Sequence, residues 1–98
     1  MKILTTFKDG NRNYLIEDIT KSSDEFLINN GFSLENSFVY NLLESTKRGD
    51  IKVGRIVGSK QVYADGTTHT TFCMCNEDRE LNHKLALISA KKYLEENC

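Results

Sequence analysis

QVYADGTTHTTFCMC, Gln61 to Cys75, decides how this chain is read. Asp65-Gly66 is a hairpin dipeptide, because glycine takes positive φ without steric penalty and aspartate tolerates it better than most residues. Before the turn, Val62 and Ala64 alternate with Gln61 and Tyr63. After it, Thr67 to Cys75 is rich in threonine, phenylalanine and small side chains that suit a pleated surface. A period of two places His69, Thr71, Cys73 and Cys75 on one face and Thr70, Phe72 and Met74 on the other. The segment reads as two antiparallel strands, 61–64 and 67–75.

Working outward, Ile51 to Val57 reads as a third strand, with Ile51, Val53 and Val57 on one face and Ile56 on the other. Gly58-Ser59 is its turn into 61–64, which completes a three-strand meander. Upstream, Ser33 is placed to cap a helix in which Leu34, Phe38 and Leu42 recur at i, i+4 and i+8, with Val39 and Leu43 widening the stripe and Gly49 as the stop. Lys2–Phe7 and Asn13–Asp18 flank Lys8-Asp9-Gly10-Asn11 and read as a β-hairpin. Ser22 or Ser23 caps a short helix, Asp24 to Asn30, with Gly31 past its end. The last helix is expected from Glu77 to Glu96, capped by Asn76. It is apolar on two sides: Leu81, Leu85 and Ile88 form one stripe, while Ala86, Leu87, Ala90, Tyr93 and Leu94 spread over the other. The expected fold is a single α+β domain over 1–98, in the order β-β-α-α-β-β-β-α, with an antiparallel sheet packed on helices.

Ninety-eight residues, 39% of them hydrophobic, make one domain with one modest core. No apolar run approaches the roughly 18 residues that a membrane span requires. The start, MKILTTFKDG, turns polar after Phe7, too early for a secretory signal, so a cytoplasmic location is expected. Three cysteines, two of them in a C-x-C pair on one strand face, are a poor disulfide framework and are read as free thiols. The absence of proline, the nine asparagines and the excess of lysine over arginine are usage common in AT-rich genomes, including those of phages and mobile elements.

His69, Cys73, Cys75 and His83, with Cys98, carry metal-donor atoms, but C-x-C on a straight strand lacks the second ligand pair that zinc sites present, and no metal is expected. His69 stands about 13 Å along the strand from Cys73, too far to activate it as a nucleophile. No Walker A, G-x-S-x-G, H-E-x-x-H or dinucleotide fingerprint occurs, so neither enzymatic activity nor a cofactor is expected. Lys47, Arg48, Lys52, Arg55 and Lys60 stand against a single acid, Asp50, in a chain of net charge −1, and form a candidate anion-binding patch.

From Ser33 onward the order α-β-β-β-α, together with GTTHTTF at 66–72, resembles the double-stranded RNA-binding domain over about two thirds of the chain. The resemblance implies phosphate contacts by the start of the last helix. Here that start is Glu77-Asp78-Arg79-Glu80, whose carboxylates repel phosphate, so any nucleic-acid contact falls to the 47–60 patch with Tyr63 for stacking.

The function expected from the sequence is therefore a non-enzymatic protein-binding module of inhibitor, adaptor or antidefence type. Its candidate interface residues are Tyr63, Leu81, Leu85, Ala86, Ile88, Ala90 and Tyr93. The partner is an unidentified protein or, through the last helix, a second copy of the chain; nucleic acid is the alternative, and no membrane is involved.

Overall fold

A computed structural model describes residues 2–74 and 80–97. Strands β1 (Lys2–Asp9) and β2 (Arg12–Asp18) form the expected N-terminal hairpin, turning at Gly10 with φ 63°. A 3₁₀ turn (Thr20–Ser22) and α1 (Asp24–Asn29) follow, then β3 (Ser37–Thr46), β4 (Gly49–Val62), β5 (Thr68–Met74) and α2 (Leu81–Glu96). The five strands form one antiparallel sheet in sequence order, β1-β2-β3-β4-β5. This is an α+β architecture in the order β-β-α-β-β-β-α.

The helix expected after Ser33 is a strand. Its apolar positions at i, i+4 and i+8 are all even steps, so they satisfy a period of two as well as they satisfy a helix. The run Phe38-Val39-Tyr40, aromatic and β-branched, favours the pleat. β3 is also the central strand and is apolar on both faces: Tyr40 and Leu42 join one core cluster and Val39 the other. A strand covered on both sides loses the clean alternation that marks a half-buried one. Gly49 is a hairpin glycine at φ 111° rather than a helix stop, and Lys47 and Arg48 form the hairpin turn. The α-β-β-β-α order behind the double-stranded RNA-binding resemblance is accordingly not the order found.

Gly58-Ser59 does not turn the chain; β4 runs unbroken for 14 residues, with Gly58 opposite Phe72 and Ser59 opposite Thr71. A Cβ at Gly58 would stand 2.7 Å from the Phe72 ring, so the glycine is there for the close crossing of that ring. The faces of β4 also differ from expectation. Leu42 faces Gly54 and Leu43 faces Lys52, so Val53 is the extra residue of a β-bulge. The bulge places Val53 in one cluster with Ile56, while Val57 packs on the opposite face and Ile51 is exposed. The real turn is Tyr63–Gly66: Gly66 N–H donates to Tyr63 O, Tyr63 N–H donates to Thr67 O, and Gly66 has φ 86°.

α1 begins where expected, but Ser23 Oγ donates to Ile19 O at 2.7 Å and does not cap the helix. The proposed N-cap Asn76 and the segment Glu77–Arg79 lie outside the described residues, as do Cys75 and Cys98.

The main core lies between the sheet and α2. Tyr14, Ile16, Tyr40, Leu42, Val53, Ile56 and Phe72 face Ala86, Leu87, Ala90 and Leu94. α2 touches β5 and β4 on one side and β1 on the other, so the sheet curls round the helix. Bulges in β1, between Ile3 and Thr5, and in β4 supply the extra twist. On the outer face a smaller cluster of Ile19, Leu27, Val39 and Val57 sits under α1, with Phe26 and Phe32 packed against it.

Strand geometry separates Leu42 from Leu43, which a helical stripe would treat alike. Leu42 is fully buried and Leu43 is not. Leu42→Ala is expected to cost about 2–5 kcal/mol in urea denaturation, and Leu43→Ala less than about 1.5 kcal/mol. Equal costs would contradict the register.

Candidate functional site

α2 presents two chemically different faces. Residues 83, 86, 87, 90 and 94 recur at three- and four-residue steps and point into the sheet. Ala86 and Ala90 are fully buried there, and Leu87 reaches Gly54 so closely that a Cβ on Gly54 would stand 2.8 Å from a Leu87 methyl. Tyr93 packs partly buried against the same cluster. Of the interface candidates, Ala86, Ala90 and Tyr93 thus belong to the protomer's own core side. Leu81, Leu85 and Ile88 lie on the opposite side of the helix and are 66%, 46% and 53% exposed. Lys84 and Lys92 are exposed beside them. Tyr63 is half exposed at the β4–β5 turn, away from the helix stripe in sequence and element.

At the start of α2 lies a polar cluster that the sequence does not reveal. Arg12 at the start of β2 forms an ion pair with Glu80 and lies 3.4 Å from Glu44 Oε1. His83 Nε2 lies 3.0 Å from Glu44 Oε1 and 3.2 Å from Arg12 Nη1. Contact with the carboxylate calls for a proton on Nε2, so the Arg12 contact is the proximity of two donors and not a hydrogen bond. His83 Nδ1 faces Glu80 Oε2 at 3.5 Å. Desolvation pulls the Arg12 pKa down, but the Glu80 and Glu44 carboxylates more than offset it and leave it raised. The Tyr14 ring meets His83 edge-on at 6.5 Å, and burial, with the Glu44 charge, pushes its hydroxyl pKa up. Its members come from β2, β3 and the N-terminal end of α2; in the sequence only the i,i+3 spacing of Glu80 and His83 hints at it, and the pairing of Tyr14 with Glu44 across β2 and β3 brings the rest together.

A histidine between two carboxylates invites a catalytic reading, and the geometry argues against it. Both ring nitrogens face carboxylate oxygens within the cluster, which leaves neither directed at a substrate proton. Arg12 supplies the positive charge between the two carboxylates, and among the described residues no group of three or more His, Cys, Asp or Glu side chains is arranged to hold a metal ion. The cluster works as a clasp that ties the first turn of α2 to β2 and β3.

The other candidates are scattered. His69 and the free Cys73 lie exposed on the outer face of β5, far from His83. Lys52 and Arg55 are neighbours on β4, where burial and the Arg55 charge lower the Lys52 pKa. Arg55 stacks its guanidinium 4.6 Å over the Phe26 ring. Lys47 and Arg48 sit at the β3–β4 turn. Lys60 falls on the opposite face from Lys52 and Arg55 once the bulge is counted, and eight residues from Lys52, about 26 Å along the strand. An open cleft of about 570 Å³ is lined by Lys2, Asp18, Thr20, Lys21 and Phe38, among others. Its one acid, Asp18, already accepts hydrogen bonds from the Thr20 N–H and hydroxyl.

No family model matches the chain, and no curated protein or solved structure matches it significantly. No helix of the described residues is long and apolar enough to cross a membrane.

The clasp is expected to couple energetically. Arg12→Ala and Glu44→Ala should each lower stability, and the double variant should lose less than the sum of the two losses. Strict additivity in chemical denaturation would show that the contacts contribute nothing jointly.

Proposed function

We propose that this chain is a non-enzymatic protein-binding module that presents the outer face of α2 to its partner. The observation that carries the reading is the stripe Leu81, Leu85 and Ile88. Three large aliphatic side chains at i, i+4 and i+7 stand exposed on a helix whose other side is fixed in the core. Such anchors are the way an amphipathic helix is read by an apolar groove. The helix here is already folded and clasped, so binding does not have to bear the cost of ordering it. Lys84, Lys92, Glu95 and Glu96 flank the stripe, so its rim carries both signs of charge. The stripe exposes on the order of 300 Å², well short of the roughly 800 Å² per partner of a standard interface, so a groove that wraps the helix suits it better than a flat surface.

Nucleic acid is the second reading, supported by Lys52 and Arg55 side by side with Lys47 and Arg48 at the neighbouring turn. Arg55→Ala with Lys52→Ala should then weaken binding and flatten its salt dependence.

The double variant Leu85→Glu/Ile88→Glu should keep the wild-type circular dichroism and melting temperature within a few degrees, because both side chains point away from the core. Ala90→Glu should prevent folding, because it buries a carboxylate in the core. In quantitative affinity capture from the source cells, a bound protein should be lost with the double variant and kept with Lys52→Ala/Arg55→Ala. Capture that is indifferent to the stripe would reject this reading.

A further inference from the structure

The two edges of the sheet are built differently. β1, at one edge, has Lys2, Lys8 and Asp9 among its eight residues and a bulge between Ile3 and Thr5. Charges and bulges are the usual means by which an edge strand is kept from pairing with another chain. β5, at the other edge, is THTTFCM: it has no lysine, arginine, aspartate, glutamate or proline, and it pairs with β4 from Thr68 to Met74 without a register shift. No described strand pairs with its outer side.

The hydrogen-bond parity shows which groups that side offers. Tyr63 N–H donates to Thr67 O at 2.8 Å, and the register continues as Gln61 with His69, Ser59 with Thr71 and Val57 with Cys73. Those residues of β5 direct their N–H and C=O towards β4. Thr68, Thr70, Phe72 and Met74 therefore direct theirs outward.

We infer that β5 is a homodimerisation edge, pairing antiparallel with β5 of a second copy about a two-fold axis through Thr71. An antiparallel pair of identical strands is isologous and closes on itself. In the register centred on Thr71 the whole strand is used. Thr70 and Phe72 of one copy exchange hydrogen bonds with Phe72 and Thr70 of the other, and Thr68 does so with Met74. No like charges meet, since the outer row brings Thr71 against Thr71 and His69 against Cys73. On the inner row Met74, 42% exposed in the protomer, gains cover from Thr68 of the second copy. Among the described strands, the joined sheet ends in a β1 strand at each edge, and both are protected. A second copy fits this edge better than an unrelated strand because the pairing removes both unprotected edges at once. This surface is separate from the α2 stripe, so dimerisation and partner binding stand or fall independently.

The test is mass against concentration by light scattering and native mass spectrometry, over about 1 μM to 1 mM. The wild-type chain should pass from single to double mass. Thr71→Lys places two lysines across the axis, and Thr70→Pro removes an outward N–H without touching the β4 ladder; both should stay at single mass with unchanged circular dichroism. As a check independent of those variants, Thr71→Cys with Cys73, Cys75 and Cys98 replaced by serine should form a disulfide-linked dimer under mild oxidation. A wild-type chain that remains monomeric throughout would overturn the inference. So would a dimer that survives Thr71→Lys, or one that is abolished by Leu85→Glu/Ile88→Glu and not by Thr71→Lys.

Discussion

The main core and the placement of α2 depend on one close approach, that of Leu87 on α2 to Gly54 on β4. A helix and a sheet ordinarily pack with side chains from both between them. Here the absence of a Cβ at Gly54 lets the helix settle into the sheet, and the small Ala86 and Ala90 on the same face allow it to lie flat. The β4 bulge follows from the same demand, since it turns Val53 to the helix side immediately before that glycine. With α2 seated so deeply, the sheet curls and both β1 and β5 reach the helix.

The seating also sets what remains available for binding. A helix of 16 residues sunk through one face has its opposite face raised to solvent, and in this sequence that face carries leucine and isoleucine. The Arg12–Glu44–Glu80–His83 clasp holds the first turn of α2 against β2 and β3, next to Leu81 and Leu85. Its contribution is to position the stripe. The main core gathers on one side of one helix, which leaves the far side of that helix exposed to solvent.

Much of this was legible from local pattern. The N-terminal hairpin, α1, the Asp65-Gly66 turn, the two faces of β5 and the double apolarity of α2 all follow from spacing and turn chemistry. The failures share a cause. Phe38, Tyr40 and Leu42 belong to a strand covered on both faces, and even-numbered spacing cannot separate that from a helix. Gly58 reads as a turn because glycine is common there, while its actual role, making room for the Phe72 ring, is a contact between residues 14 apart in sequence. The bulge at Val53 inverts the faces of half a strand without any local signature. The clasp joins Arg12 to His83 across most of the chain, and no periodicity reports such a meeting.

The most direct test is which face of α2 meets the sheet, read from nuclear Overhauser contacts in the methyl-labelled protein. The account requires contacts from the Leu87 methyls to the Gly54 α-protons, and none from Leu85 or Ile88 to Tyr40 or Phe72. Contacts from Leu85 and Ile88 to those rings, with Leu87 free in solvent, would contradict both the core and the binding surface derived from it.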